Sequence, residues 1–143
     1  AQYQHTEFGY NYRMTDISAA IGREQLKKLS NFNARRREIA DRYNSELTEL
    51  VITPKNRRGH VFHQYTIRCD KRDELRDFLL KREINTGIYY PSLLYSYPSM
   101  ADYHSNCPNA EILVKEVLSL PVHPALSDKD VFEVISSIKA FFE

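Results

Sequence analysis

Asn11 and Arg13 stand two residues apart in the run Gly9-Tyr10-Asn11-Tyr12-Arg13-Met14, just ahead of a helix-like stretch. An amide and a permanently charged, forked guanidinium are both donors suited to a phosphate or a carboxylate. The same pair also fits an ordinary arrangement, in which Asn11 fills a turn and Arg13 meets an acid at the surface. No conventional catalytic set is complete elsewhere. His5, His60, His63, His104 and His123 are scattered, without the i, i+4 or HExxH spacing of a helical metal site, so each reads as a local hydrogen-bonding group. The four glycines lie too far apart to build a phosphate-cradling loop. Cys69 and Cys107 have no CxxC or Cys/His spacing, and they read as ordinary reduced thiols rather than as a metal site or disulfide framework.

The elements that must position these groups are legible in outline. Thr15 or Asp16 caps a helix that continues through Ile17, Ala19, Ala20 and Ile21, with Leu26 and Leu29 extending its apolar stripe. Polar Ser30-Asn31 predicts a kink or brief break. Beyond it Ile39, Tyr43, Leu47 and Leu50 form the stripe of a second long amphipathic helix. Pro54 to Gly59 is a polar connection. Alternation from Val61 to Cys69 then predicts a half-buried strand. Asp70, with Asp73 three residues on, predicts the cap of a helix that runs to about Glu83 over Leu75, Phe78 and Leu79.

Ile84, Thr86, Ile88, Tyr89 and Tyr90 predict a returning strand around Gly87. Pro91, Pro98 and Pro108 punctuate a long loop, of the kind that often carries function. A helix over Ala110 to Val117, a short strand at Leu118-Ser119-Leu120 and a final helix opened by Ser127 with Asp130 complete the chain. The predicted class is α/β of the α+β kind: two long helices, then a small, mainly antiparallel sheet flanked by helices. Residues 1–50 read as a connecting or interface segment and 51–143 as a small domain.

Bulk properties narrow the function classes. A chain of 143 residues suits one core rather than two full domains. Twenty basic and 19 acidic residues leave a formal charge of +1, so no whole-molecule field selects nucleic acid or an anionic membrane. No apolar run reaches membrane-spanning length, and the first residues lack the pattern of a signal peptide, so the chain reads as soluble and cytoplasmic. The start at Ala1 within a polar connection reads as a fragment.

The run from Gly9 to Gly22, followed by Gln25-Leu26 and Leu29, closely resembles a signature segment of the DegT/DnrJ/EryC1/StrS aminotransferases. The likeness continues through Arg35-Arg36-Arg37-Glu38-Ile39-Ala40, His63 to Arg68, Thr86-Gly87-Ile88, Tyr90-Pro91 and Val117 to Pro121 with His123-Pro124. The resemblance implies the C-terminal part of an aspartate-aminotransferase-type fold, using pyridoxal 5'-phosphate and working as a cytoplasmic homodimer with active sites at the subunit interface. It implies transfer of an amino group, typically from glutamate, to a nucleotide-linked keto sugar. A dehydratase on the same scaffold is the near alternative, and an interaction or nucleic-acid-binding module based on Lys27, Lys28, Arg35, Arg36, Arg37 and Arg42 is the alternative from another class.

By the same resemblance, Asn11 reaches the cofactor phosphate of the neighbouring subunit, with Arg13 ordering the loop or adding positive potential. The family's His-Tyr-Pro segment near the sugar-nucleotide site matches here at Tyr89-Tyr90-Pro91, and Tyr95 replaces a second usual histidine. Tyr89, Tyr90, Tyr95 and Tyr97 then offer hydroxyls and flat faces to substrate, or simply pack the loop. The Schiff-base lysine of such catalysis precedes the segment matching Gly9. None of the chain's lysines has the apolar surroundings of a lysine tuned toward neutrality, so no catalytic residue is expected within the chain, nor activity from it alone.

Overall fold

The computed structural model describes residues 7–10, 12–103 and 105–143. Among these residues, four α-helices and two strands follow in the order α1 (Asp16–Leu47), β1 (Tyr65–Arg68), α2 (Arg72–Leu80), α3 (Pro108–Glu116), β2 (Val117–Leu120) and α4 (Asp128–Phe142), with two 3₁₀ turns, Leu94–Ser96 and Pro98–Tyr103, ahead of α3. No helix among the described residues is long and apolar enough to cross a membrane. The chain divides into two compact units, Ala1–Asn31 and Phe32–Glu143.

In the first unit, the Thr15 hydroxyl accepts from the Ser18 amide at 3.2 Å, satisfying one of the orphan donors at the start of α1. The predicted break at Ser30 does not occur. One helix of 32 residues replaces the two expected, because Ser30 and Asn31 carry only the modest helix penalty of polar residues and retain their backbone amides. Ile17, Ile21, Leu26 and Leu29 are all exposed.

The second unit owns the hydrophobic core. Ile39, Tyr43 and Leu47 of α1 pack with Tyr65 and Ile67 of β1, Leu75 and Leu79 of α2, Leu118 of β2 and Val131 and Ile138 of α4, all essentially fully buried. The helical spacing that predicts the α1 and α4 stripes is the spacing that buries them. The strands pair antiparallel, Tyr65 opposite Leu120 and Arg68 opposite Val117. Single antiparallel bridges flank them, Ile52 to Arg68 on one side and Gly87 to Ser119 on the other.

Three local expectations change. The strand predicted from Val61 begins only at Tyr65, because Phe62 sits in the left-handed region at φ 48°. That strained conformation is supported by total burial of the ring and by the Phe62 amide donating to His60 Nδ1 at 2.9 Å. The returning strand at Ile84 to Tyr90 reduces to the Gly87 bridge, bracketed by left-handed Glu83 and Tyr90. Helix α2 starts at Arg72 after Lys71, without the side-chain cap expected from Asp70, and it ends at Leu80. The Ser127/Asp130 expectation holds: both halves of the capping box are present at the start of α4.

Candidate functional site

A cavity of about 400 Å³ opens in the second unit where the Gly87 bridge meets β2. Its wall is built from four places in the chain: Arg36 on α1, His63-Gln64 before β1, Asn85 to Gly87 with Tyr89, and Ser119 to His123. Specific contacts join three of these places. Gly87 and Ser119 exchange both backbone hydrogen bonds, at 2.9 and 2.8 Å, and the Ser119 hydroxyl meets Thr66 across the strands at 2.7 Å. The buried Tyr43 phenol of α1 donates to the Pro121 carbonyl at 2.9 Å, and burial raises its pKa above the ordinary tyrosine value, so it stays a neutral donor. That bond ties the Pro121–His123 edge of the cavity to the helix that carries Arg36.

Gly87 lets Tyr89 approach closely. A Cβ placed there would lie 2.7 to 3.0 Å from the ring and hydroxyl of Tyr89, which folds back over the glycine. Tyr89 thereby becomes part of the cavity wall, with its side chain half in solvent at 52% exposure.

The sequence-predicted site residues separate. Tyr89 lines the cavity. Tyr90 does not: its left-handed backbone, at φ 59°, leaves it 81% exposed. Tyr95 is also outside, and its hydroxyl donates to Glu111 Oε1 at 2.8 Å, a bond that raises its pKa and ties the loop to α3. Tyr97 is partly exposed. Arg13 is an exposed residue of the first unit, and Asn11 lies outside the described residues. The structure adds cavity residues that sequence reasoning did not select, among them Arg36, His63, Gln64 and His123. Arg36 had been grouped with a basic helical run and the histidines with isolated structural ones. The only sequence signal was that these residues fall in the segments with family likeness.

No lysine lines the cavity. Lys27 pairs with Glu24 at 2.6 Å and Lys139 with Glu46 at 2.5 Å, while Lys28, Lys55, Lys71, Lys81, Lys115 and Lys129 are exposed. A lysine imine therefore cannot form from the residues that line this cavity.

Residues 1–139 match the sequence pattern of the DegT/DnrJ/EryC1/StrS aminotransferase family. The chain is 40% identical to a pleiotropic regulatory protein of Geobacillus stearothermophilus and 38% identical to the GDP-perosamine synthase of Escherichia coli O157:H7, in each case over 99% of its own length. It superposes on the crystal structure of Streptomyces venezuelae DesV in complex with a ketimine intermediate with a TM-score of 0.88 at 33% identity, over its whole length. The chain spans 40% of the length of each of these three proteins.

Proposed function

Since the chain belongs to the DegT/DnrJ/EryC1/StrS aminotransferase family, we propose that it forms the C-terminal part of a homodimeric, cytoplasmic enzyme that moves an amino group from glutamate to a nucleotide-linked keto sugar. The observation that carries this reading is a match over almost the entire chain to a relative named for making a GDP-linked sugar, the perosamine synthase. The DesV complex with a ketimine supports the use of pyridoxal 5'-phosphate, the cofactor whose ring acts as an electron sink in such chemistry.

The residues described above supply part of that machinery. In this reading the lysine that carries the cofactor lies outside these residues. Asn11 and Arg13 direct an amide and a guanidinium at the cofactor phosphate. Tyr89 presents a ring and a hydroxyl to the sugar nucleotide from the cavity wall. Tyr90 and Tyr95 join it from the same loop, Tyr90 from its exposed position and Tyr95 through its tie to Glu111. The nucleic-acid-binding alternative loses support because Lys27, Arg35 and Arg42 of the basic run are engaged by Glu24, Glu38 and Asp128.

The test is a two-substrate assay on the longer protein that contains this chain, supplied with cofactor, glutamate and a nucleotide-linked keto sugar. Formation of an amino sugar with an equal amount of 2-oxoglutarate is the expected result, and the 143 residues alone should give none. Loss of the sugar hydroxyl without nitrogen transfer would assign the protein to dehydration instead.

A further inference from the structure

Six arginines of the second unit are half-buried: Arg35, Arg36, Arg42, Arg68, Arg72 and Arg76. Five of them have a carboxylate oxygen within 2.9 Å, supplied by Glu38, Asp128, Glu116, Asp73 or Asp77. Arg36 is the exception among the described residues. Its hydrogen bond is a long one, 3.3 Å to the Asn33 side-chain oxygen, a neutral acceptor on its own helix. A partly desolvated guanidinium without a counter-charge is unfavourable, and the five other arginines show that this fold readily supplies acids where it needs them.

The cavity into which Arg36 is built has the complementary property. Among the described residues it has no aspartate or glutamate in its wall, and its other polar members are His63, Gln64, Asn85, Thr86, Tyr89, Ser119 and His123. His123 also borders an adjoining cavity where Glu83, Asp130 and Glu133 stand, but those carboxylates line that space and not this one. A volume of about 400 Å³ accommodates a small anionic group, and a forked guanidinium with neutral donors around it is the pattern that holds an oxyanion.

We infer that this cavity is an oxyanion subsite, with Arg36 as its charged anchor and Gln64, Thr86 and Tyr89 as neutral donors. The inference extends the aminotransferase reading and rests on it for the identity of the anion, which is either the diphosphate of the sugar nucleotide or the carboxylate of the amino donor.

Titration of the chain, without cofactor, by inorganic pyrophosphate and separately by L-glutamate at constant ionic strength distinguishes the two. Saturable backbone-amide shifts at Gln64, Thr86, Gly87 and Tyr89 with pyrophosphate assign the site to phosphate, and the same shifts with glutamate assign it to carboxylate. Arg36→Gln should weaken the binding about 10-fold or more, as loss of a charged hydrogen bond does. Arg37→Gln, which changes an exposed neighbour on the same helix, should leave it unchanged. The inference is overturned if neither anion moves these amides, if Arg36→Gln binds as tightly as the parent, or if both substitutions weaken binding equally. Because the titration needs no catalysis, a negative result leaves the aminotransferase reading standing, and a failed transamination assay leaves a positive titration standing.

Discussion

The two units divide the information in this chain in opposite ways. The residues before Phe32 hold the signature run from Gly9 to Gly22, yet none of the described ones is buried, and Ile17 and Leu26 are 76% and 66% exposed. The residues after Asn31 contain the buried core of the described residues and the cavity. Packing within this chain therefore explains the core residues of the second unit, though not its exposed Leu94 and Phe132, and none of the described large apolar residues of the first. A side chain that its own fold does not require is a better pointer to function than one that fills a core.

That contrast is broken or sharpened most strongly by a pair of truncations. Leu118→Ala removes a fully buried side chain at the centre of the sheet and should cost about 2–5 kcal/mol of unfolding free energy. Leu26→Ala, at an exposed position of α1, should stay within about 0.5 kcal/mol. Urea midpoints of the two variants against the parent test this directly. If Leu26→Ala costs as much as Leu118→Ala, the first unit buries its apolar face in solution and the contrast fails.

A smaller effect is expected at the joint between core and cavity. Tyr43→Phe keeps the packing but leaves the Pro121 carbonyl without its donor, at a cost of about 1 kcal/mol. The distinguishing outcome is local: the amides of Val122 and His123 should exchange faster, with those of β1 unchanged. A uniform change across the unit would mean that the bond serves general stability and does not specifically hold the cavity edge.

The same division decides what was legible beforehand. The Ser127/Asp130 capping box was readable because both partners lie three residues apart and the motif needs nothing else. The Ile39/Tyr43/Leu47 stripe was readable because its period is the helix's own. Ser30 misled because polar residues depress helix propensity only slightly, and the helix formed through them. The late start of β1 was hidden, since it depends on a left-handed Phe62 that only the completed core and His60 support. In the site, Tyr89 was legible from its loop. Arg36 was not, because Arg35 and Arg36 are alike in sequence, and it takes the placement of Asp128 to neutralise one and leave the other facing an acid-free cavity.

The smallest predicted effect tests that last difference through acid. Asp128 accepts from Arg35 and Arg42, and these hydrogen bonds hold its carboxyl below the usual aspartate range. Glu38 is lowered likewise, chiefly by its bond to Arg35. With a folded pKa below the unfolded one, the unfolded chain binds more protons as pH falls, so the contribution is complete above the unfolded value of about 4 and is lost as pH drops through the folded value. Asp128→Asn should therefore flatten the loss of stability below about pH 4, and salt should shrink the difference because the carboxylate is exposed. The acid limb of urea midpoints, measured for parent and variant at low and high salt, checks both. Identical limbs would mean that Asp128 does not discriminate Arg35 from Arg36 in solution, and the electrostatic distinction between the paired helix face and the open cavity would lose its basis.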